Sequence, residues 1–287
     1  MNADRIRLAV PNKGRLAEPT IALLRDAGLE FEDHARSLLS HCENFALDLL
    51  FVRTEDLVEF VGDGVADLGI TGGNLLAESG AELPVVAQLG YGRCRLEAAV
   101  SADSPARSVD DLAGFRLATS HPSATSRFFG ERGVPIDVVP LTGAVEVAPR
   151  LGVADGIVDL VSTGSTLLLN GLRSVGVLLE SEAVLVASPA VQHRRAAEIA
   201  EIQTMLGAVV AARRQKYLMM NAPLSALAEI EEILPGLDSP SIVPLAHGGM
   251  VAVHAVVASG EIWGLLGRLR RAGASGILVV PVEKLLA

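Results

Sequence analysis

The chain has 287 residues, which is the length of about two average domains. Half of the residues are hydrophobic and 20% are charged, a composition that excludes a disordered or low-complexity protein. The formal net charge of −10 repels polyanions, and aromatic residues are few (Phe 7, Tyr 2, Trp 1), so nucleic-acid binding is disfavoured.

The sequence carries no signal for secretion or membrane insertion. Its N-terminus lacks the apolar stretch of a signal peptide. The longest run without a charged residue, 239–260, contains two prolines and two histidines, which disfavours a membrane span. Cys42 and Cys94 are too few for a disulfide framework or a cysteine-based zinc site. We therefore expect a soluble, cytoplasmic protein.

The first third of the chain alternates predicted strands and helices. The segments are a strand at Arg5–Val10, a helix at Leu16–Ala27, a strand at Ala46–Val52, a helix at Thr54–Gly62 and a strand at Ala66–Ile70. This alternation predicts an α/β fold with mainly parallel strands, in which ligand-binding loops follow the carboxyl ends of strands. The segments 11–15 and 71–74 are two such loops.

A second α/β region is predicted from Arg95 onward. Its segments are a strand at Leu96–Ser101, a short helix at Asp110–Gly114, a strand at Arg116–Ser120, a helix at Ala124–Gly133 and a strand, loop and helix over Asp155–Leu172. A helix predicted over Ala196–Arg214 connects this region to the last 70 or so residues.

The C-terminal region predicts a separate module. Its segments are a strand at Lys216–Asn221, a helix from Pro223 to Leu234 that Pro235 stops, strands at Ser241–Ala246 and Met250–Ala258 joined by the turn His247–Gly249, a helix at Glu261–Arg271 and a strand at Gly276–Val282. The order βαββαβ is that of the ferredoxin-like fold. Such modules at the C-termini of enzymes are often regulatory, although the fold alone does not establish this role.

The segment around residues 156–166 carries the strongest chemical signal. An apolar predicted strand contains Asp159 and leads into Ser162–Thr166, which is followed by a predicted helix. Hydroxyl groups and a glycine at the start of a helix favour anion binding. The alternative is an ordinary helix N-cap, for which Ser and Thr are also preferred. Asp159 favours the first interpretation, because a buried carboxylate needs a partner, and a phosphate loop beside a carboxylate indicates a phosphoribose site.

Basic residues after the predicted strands form a second candidate site. Lys13 is one of only three lysines and lies in a glycine-containing loop, where an ammonium could bind phosphate. Arg15 could bind a phosphate with two hydrogen bonds, and Arg53 ends another strand. The alternative for Lys13 and Arg53 is a solvated surface charge. His121, at the end of a strand near the expected cleft, is a further ligand candidate.

Other common active-site motifs are missing. The sequence has neither a complete GxGxxG motif nor a GxxxxGK[ST] phosphate loop, which makes Rossmann and Walker sites weak interpretations. No Ser-His-Asp or Cys-His spacing stands out, so chemistry through an acyl-enzyme is disfavoured.

Several longer stretches resemble one enzyme family. They are 9–16 (AVPNKGRL), 67–72 (DLGITG), 151–167 (LGVADGIVDLVSTGSTL), 217–221 (YLMMN) and 239–245 (SPSIVPL). Together they resemble the ATP phosphoribosyltransferases of histidine biosynthesis, in the long form that has a C-terminal regulatory domain. The similarity extends over nearly the whole chain, and the stretch 151–167 is its most specific part.

The resemblance implies a fold of two α/β lobes, like a periplasmic binding protein, plus the ferredoxin-like regulatory domain. It implies that residues 1–94 and 184–212 form the first catalytic lobe, residues 95–183 the second, and residues 213–287 the regulatory domain. The implied reaction is the Mg²⁺-dependent transfer of the phosphoribosyl group of phosphoribosyl pyrophosphate (PRPP) to N1 of ATP. The products are phosphoribosyl-ATP and pyrophosphate.

The resemblance also assigns roles to residues. Those implied to bind PRPP are Glu146, Asp155, Asp159, Ser162, Thr163, Gly164, Ser165 and Thr166. Those implied to bind ATP or pyrophosphate are Lys13, Arg15, Arg53, Gly72 and His121. Mg²⁺ is expected to bind mainly through substrate phosphates, because it favours them over cages built only from protein ligands. Many family members have a Lys and an aromatic-Pro-Asn run where this chain has Ser120–Ser123, so its contacts with ATP differ there.

Regulation and assembly are further implications of the resemblance. Histidine is the implied feedback inhibitor, with Asn221 and Ser241 as candidate contacts. A homo-oligomer, dimeric or hexameric, is implied as well. An alternative from another functional class stays open at this point, namely a non-catalytic two-lobed sensor with a ligand-binding tail. A catalytic protein must bind two phosphorylated substrates together, whereas a sensor needs only one small-molecule site.

Overall fold

The computed structural model describes residues 5–32, 38–192, 194–234, 236, 239–246 and 248–286. The chain divides into two units, residues 1–200 and residues 201–287. None of the described helices is both long enough and apolar enough to cross a membrane. Pro235 and His247, which the sequence predicts to stop a helix and to begin a turn, lie outside the described residues.

Strands and helices alternate along the first unit. Its strands are β1 (Ile6–Pro11), β2 (Leu39–His41), β3 (Leu47–Val52), β4 (Leu68–Gly72), β5 (Val85–Gln88), β6 (Cys94–Ser101), β7 (Arg116–Thr119), β8 (Asp137–Pro140), β9 (Gly156–Val161), β10 (Leu172–Ser181) and β11 (Ala183–Ala187). Its helices are α1 (Ala17–Asp26), α2 (Leu57–Gly62), α3 (Gly73–Ser79), α4 (Pro122–Glu131), α5 (Ser165–Leu169) and α6 (Pro189–Gln192), followed by α7 (Ala196–Arg213), which continues into the second unit.

These strands form two sheets, each of which is the centre of one lobe. The first sheet has the order β2-β3-β1-β4-β11-β5, and the second has the order β10-β6-β9-β7-β8. The chain therefore builds the first sheet with β1–β5, the second with β6–β10, and returns to the first with β11. The predicted α/β class and the two-lobed architecture are confirmed.

Parallel pairing brings the predicted site loops to common edges. In the first sheet β1 is parallel to both β3 and β4, so the loops after all three strands lie at one edge. In the second sheet β7 is parallel to β9, so His121 and Ser162 follow strands that end at the same edge. Apolar side chains of β1, β3 and β4, such as Leu8, Leu49 and Leu68, are fully buried and hold the first sheet together.

The second unit contains the ferredoxin-like module. Its elements are β12 (Gln215–Pro223), α8 (Leu227–Ile233), β13 (Ser241–Pro244), β14 (Met250–Ala258), α9 (Ile262–Arg271) and β15 (Ser275–Pro281). The strand order is β13-β14-β12-β15 with every neighbouring pair antiparallel. Apolar residues of α8 and α9 pack on one face of the sheet, against Leu218, Met220 and Val253 among others. The predicted βαββαβ module is confirmed.

Two predicted helices start later than the sequence pattern indicates. The helix predicted from Thr54 begins at Leu57, because residues 54–56 form a turn in which the Asp56 N–H donates to the Arg53 carbonyl (3.1 Å). The helix predicted from Pro223 was also wrong at its start, since Pro223 pairs with Met250 as the last residue of β12. Its ψ of 138° is extended, and the next N–H, that of Leu224, donates to the Gly249 carbonyl (2.9 Å).

Gly69 of β4 lies directly beneath α2. A Cβ atom at this position would be 2.6 Å from Val61 Cγ2 and 2.7 Å from Leu57 Cδ2. We therefore expect Gly69→Ala to lower the free energy of unfolding by about 1–3 kcal/mol through overpacking. Chemical denaturation followed by circular dichroism measures this change.

Gly62, the last residue of α2, provides the matched control. Nothing lies within 4 Å of the position that its Cβ would take. Gly62→Ala should leave stability unchanged or raise it by up to about 1 kcal/mol, because alanine is the better helix former. Equal losses in the two variants would contradict the close packing of α2 on β4.

Candidate functional site

The loop after β9 forms the wall of a small pocket. Gly164 adopts φ +78°, which side-chain-bearing residues rarely adopt, and this turn lets α5 begin at Ser165. The pocket has a volume of about 150 Å³. Its lining residues are Glu146, Asp159, Leu160, Val161, Ser162, Thr163, Gly164, Thr166 and Leu167. The structure thus brings together six of the eight residues predicted to bind PRPP. Ser165 lies beside them, with its hydroxyl 2.9 Å from that of Thr163.

Asp159 is the half-buried carboxylate of this pocket. One of its carboxylate oxygens, Oδ1, accepts a hydrogen bond from the Leu160 N–H (2.8 Å). Burial raises the pKa of Asp159 because it removes water from the charged form, and the Glu146 carboxylate raises it further. The Leu160 N–H and the His121 ring act in the opposite direction. A carboxylate placed in this way gains from any hydroxyl or cation that enters the pocket.

Asp155, the remaining residue predicted to bind PRPP, does not line this pocket. It lies just before β9, at the end of the strand opposite to the loop 162–164. Both carboxylate oxygens accept hydrogen bonds from Arg116: Oδ1 from Nη2 (2.8 Å), Oδ2 from the backbone N–H (2.9 Å) and from Nε (3.2 Å). These bonds lower the pKa of Asp155. Its role is to tie β9 to β7.

The residues of the first lobe that are predicted to bind ATP or pyrophosphate lie at the edge of the sheet where its parallel strands end. Lys13 and Arg15 follow β1, Arg53 follows β3, and Gly72 ends β4. The loops after β1 and β3 touch, because the Thr54 hydroxyl donates to the Lys13 carbonyl (3.4 Å). Lys13 and Arg53 are exposed and pair with no carboxylate among the residues that the structure describes.

Arg15 connects this edge to the start of the second lobe. Its Nη2 donates to the Cys94 Sγ (2.9 Å) at the first residue of β6. Its positive charge also contributes to lowering the pKa of His121 in the second lobe. The cationic edge of the first lobe therefore faces the edge of the second lobe that holds Asp159.

His121 is buried between the lobes, at 5% exposure. Its Nε2 lies 3.0 Å from Asn74 Nδ2, and its Nδ1 lies 3.0 Å from Ser120 Oγ. Both ring nitrogens thus lie within hydrogen-bond distance of protein groups. Burial lowers the pKa of His121, against the raising influence of Glu78 and Asp159. Asn74 lies in the segment 71–74 that the sequence predicts as a ligand-binding loop, whereas no motif marks Glu78.

A larger cavity adjoins the small pocket. Its volume is about 500 Å³, and it shares Val161 and Ser162 with the small pocket. The rest of its lining is Gly73, Gln88, Arg93, Cys94, Arg95, Glu180, Ser181, Glu182 and Val184. Arg93 pairs with Glu182 (3.2 Å) and Arg95 with Glu97 (2.8 Å). These arginines lie where the chain passes between the lobes, and no sequence motif marks them.

The two predicted effector contacts lie on one face of the sheet of the second unit. Asn221 pairs with Ala252 and Ser241 with His254, on the face turned away from α8 and α9. Strand β14 separates them, and they differ by two residues in register. The strand spacing places the Cα atoms of Asn221 and Ser241 roughly 12 Å apart. A ligand that is larger than one side chain can span this distance.

Two family models match the chain. A model described as ATP phosphoribosyltransferase matches residues 53–208, and one described as HisG, C-terminal domain matches residues 212–284. The first model alone covers more than half of the chain and includes the pocket residues of the second lobe. The second covers the ferredoxin-like module.

Full-length relatives carry the same description. The ATP phosphoribosyltransferase of Gemmatimonas aurantiaca is 45% identical over 290 residues, covering 98% of this chain and 99% of its own. That of Methanosarcina mazei is 39% identical and covers 98% of this chain and 99% of its own. Among solved structures, the ATP phosphoribosyl transferase (HisG:HisZ) complex from Thermotoga maritima matches with a TM-score of 0.62 and 28% identity, over 72% of this chain and 98% of that chain.

The Asp155–Arg116 pair predicts a pH-dependent effect on stability. An aspartate with a lowered pKa stabilises the folded state above the unfolded pKa of about 3.9, and this contribution is lost as the pH falls. Asp155→Asn should therefore lower the melting temperature at pH 7, and the difference from the wild type should narrow only as the pH falls below about 4, through the lowered pKa of Asp155. Thermal melts across this pH range measure the difference.

Asp103, an exposed carboxylate in the turn after β6, gives the control for this prediction. Asp103→Asn removes the same charge without breaking an ion pair between described residues. Its melting temperature should match that of the wild type at every pH. A loss in Asp155→Asn that does not depend on pH would contradict an ionic role.

Proposed function

The chain belongs to the ATP phosphoribosyltransferase family, the pentosyltransferases of histidine biosynthesis, and from this premise we propose that it transfers the phosphoribosyl group of PRPP to N1 of ATP. The observation that carries this proposal is the shared pocket of Asp159, Glu146 and the loop 162–166. Membership of an enzyme family decides against the alternative of a non-catalytic sensor.

The small pocket has the chemistry of a phosphoribose site. The hydroxyls of Ser162, Thr163 and Thr166 and the N–H groups of the turn at Gly164 can donate to the 5′-phosphate. Asp159 and Glu146 can accept hydrogen bonds from the ribose hydroxyls. Burial raises the pKa of Asp159 because it removes water from the charged form, and hydroxyls supplied by the sugar would stabilise that form.

The cationic edge of the first lobe suits the leaving group. The transfer breaks the bond between C1 of the ribose and the pyrophosphate oxygen, which keeps the electron pair, while the lone pair of N1 forms the new bond to C1. This step needs no protein nucleophile; it needs alignment of the two substrates and positive charge beside the departing oxygen. Lys13, Arg15 and Arg53 are the exposed cations at this edge that can provide it.

The carboxylates of this pocket fit a magnesium ion that is held mainly by the substrate. The described part of the chain gathers no cluster of three or more His, Cys, Asp or Glu side chains that could hold a metal ion. Mg²⁺ commonly binds through one or two carboxylates plus substrate phosphates, and Asp159 and Glu146 would supply the carboxylates. When bound, Mg²⁺ supplies positive charge to the phosphate oxygens.

The proposal extends to the organisation of the chain. Residues 1–94 and 184–212 would form the first catalytic lobe, residues 95–183 the second, and residues 213–287 a regulatory domain that binds histidine. We also propose a homo-oligomer, and a cytoplasmic location because both substrates are highly charged metabolites that do not cross membranes.

Asp159→Asn tests the phosphoribose site. We expect purified wild-type protein to form phosphoribosyl-ATP from ATP, PRPP and Mg²⁺ in an absorbance assay coupled to pyrophosphatase. Asp159→Asn should raise the KM for PRPP at least about tenfold, because it removes a charged acceptor worth about 1.5–3 kcal/mol. Its circular dichroism spectrum should remain that of the wild type.

Asp155→Asn is the matched control, because it makes the same chemical change at the other end of β9. It should leave the KM for PRPP unchanged. Equal effects of the two variants would overturn the assignment of Asp159, and no turnover by folded wild-type protein would overturn the proposed reaction.

Asn221→Ala and Ser241→Ala test regulation by histidine. Each should raise the histidine concentration for half-inhibition at least about tenfold, because a hydrogen bond to a charged ligand is lost. The KM values for ATP and PRPP should not change. Ser225→Ala changes an exposed serine before α8 and should be inhibited by histidine like the wild type. Equal inhibition of all four proteins would place the effector site elsewhere.

A further inference from the structure

Two charged side chains join the lobes reciprocally through helices α3 and α4. Helix α3 belongs to the first lobe and α4 to the second. The Glu78 carboxylate of α3 accepts hydrogen bonds from the N–H groups of Ser123 (3.0 Å) and Ala124 (2.9 Å) at the beginning of α4. Arg127 of α4 reaches the last turn of α3, where its Nη2 donates to the Ala77 carbonyl (3.0 Å). We call these three hydrogen bonds the α3–α4 clamp.

The beginning of α4 leaves two N–H groups for a partner outside the helix. Pro122, its first residue, has no N–H, and the Thr125 N–H already donates to the His121 carbonyl (3.0 Å). The two groups that remain are those of Ser123 and Ala124, and both donate to the carboxylate from α3. A negative charge at this position is also favoured by the positive end of the helix dipole.

The end of α3 has the complementary arrangement. The last carbonyl groups of a helix have no partner within it, and Arg127 brings a positive charge to them. Gly80 follows α3 with φ +68°, and a Cβ at this position would lie 3.5 Å from Arg127 Nη2, so the guanidinium lies directly over the helix end. Each helix therefore supplies the charge that suits the end of the other helix.

The clamp lies beside the segments where the chain crosses between the lobes. The chain crosses at residues 89–93 and again at Glu182, whose carbonyl accepts from the Gly73 N–H (2.9 Å) at the start of α3. Glu78 lies five residues further along this helix, or about 7.5 Å along its axis. Lobes that are joined only at their crossings can rotate about them in a hinge motion. A contact away from the crossings restricts this rotation.

We propose that Glu78 and Arg127 are positioning residues for phosphoribosyl transfer, because their clamp holds the cleft at the width at which the cations of the first lobe face the pocket of Asp159. The inference rests on the proposed function, which assigns these two groups to the two ends of PRPP. The sugar end binds to the second lobe and the pyrophosphate end faces the first. The clamp therefore controls how well the leaving group is neutralised, rather than how tightly the sugar binds.

Glu78→Gln tests the clamp, because it keeps the length of the side chain and replaces one acceptor oxygen with an NH2 group. This group cannot accept from the second free N–H of α4. The kcat should fall at least about tenfold, since small errors in the alignment of reacting groups are costly. The KM for PRPP should stay close to that of the wild type, because the pocket for the sugar lies within the second lobe.

A distance measurement between the lobes tests the clamp without any substrate. Glu55 in the first lobe and Thr142 in the second are exposed, whereas Cys42 and Cys94 are buried. Spin labels at Glu55→Cys and Thr142→Cys therefore report the separation of the lobes by double electron–electron resonance. The distance distribution should broaden when Glu78→Gln is added to this doubly labelled protein.

Arg127→Gln removes the other half of the clamp and should change kcat and the distance distribution in the same direction. It also tests the proposal should Glu78→Gln fail to fold. Arg132→Gln is its matched control, because it removes the same charge at the other end of α4. The Arg132 guanidinium lies 3.8 Å from the centroid of the Phe128 ring in its own lobe. This control should leave kcat and the distance distribution unchanged.

An unchanged distance distribution in folded Glu78→Gln would overturn the proposal. A broadened distribution with an unchanged kcat would also overturn it, because a purely structural role lowers the melting temperature without slowing the folded enzyme. A raised KM for PRPP with an unchanged kcat would do the same, since it indicates lost substrate binding. No turnover by the wild type would overturn the proposed reaction, whereas the distance measurement decides independently whether the clamp holds the lobes.

Discussion

Strand β11 is the element on which the geometry of the first unit depends. It returns the chain from the second lobe to the first, between β4 and β5, and all five of its residues are buried. A single residue, Glu182, separates it from β10, and the Glu182 carbonyl accepts from the Gly73 N–H (2.9 Å). The antiparallel pairings of β11 with β4 and β5 thus fix the second crossing between the lobes and bring Ser181 to the start of α3.

The site separates charge between the lobes. The second lobe contributes carboxylates and hydroxyls at the end of β9, whereas the first contributes cations after β1 and β3. This separation suits a substrate with a sugar at one end and a pyrophosphate at the other, as the proposed reaction requires. The net charge of −10 does not reveal this separation, because a sum over the whole chain does not show where Lys13, Arg15 and Arg53 lie.

Polar groups buried between the lobes constrain the fold more than apolar core residues do, because each polar group needs a specific hydrogen-bond partner. An apolar side chain such as Leu8 only needs to be covered, but Asn74 and His121 each need a partner with the right donor or acceptor. The partners come from three separate parts of the chain, namely α3, the loop after β7 and the end of β10. These hydrogen bonds explain how two lobes with separate sheets hold the loop after β7 in a defined position.

The sequence predicted those parts of the site that are continuous in the chain. Asp159 and the loop 162–166 are a few residues apart, so a strand that leads into a glycine turn places them in one pocket. Lys13 and Arg53 could be predicted to meet because parallel strands end at one edge of a sheet. Asp155 shows the limit of this reasoning: it is as close to Asp159 in sequence as the loop is, but the strand carries it to the opposite end.

The sequence by itself determined the α/β class, the ferredoxin-like module and the loop after β9, because these depend on hydrophobic periodicity, turn residues and family motifs that short segments carry. Only the tertiary structure decided the roles of His121, Asn74, Glu78 and Ser181. They lie up to 107 residues apart in the chain, and their bonds depend on how β11 and the two crossings place α3 against α4. No local pattern encodes a partner that arrives from the other lobe, because hydrogen bonding depends on distance in space.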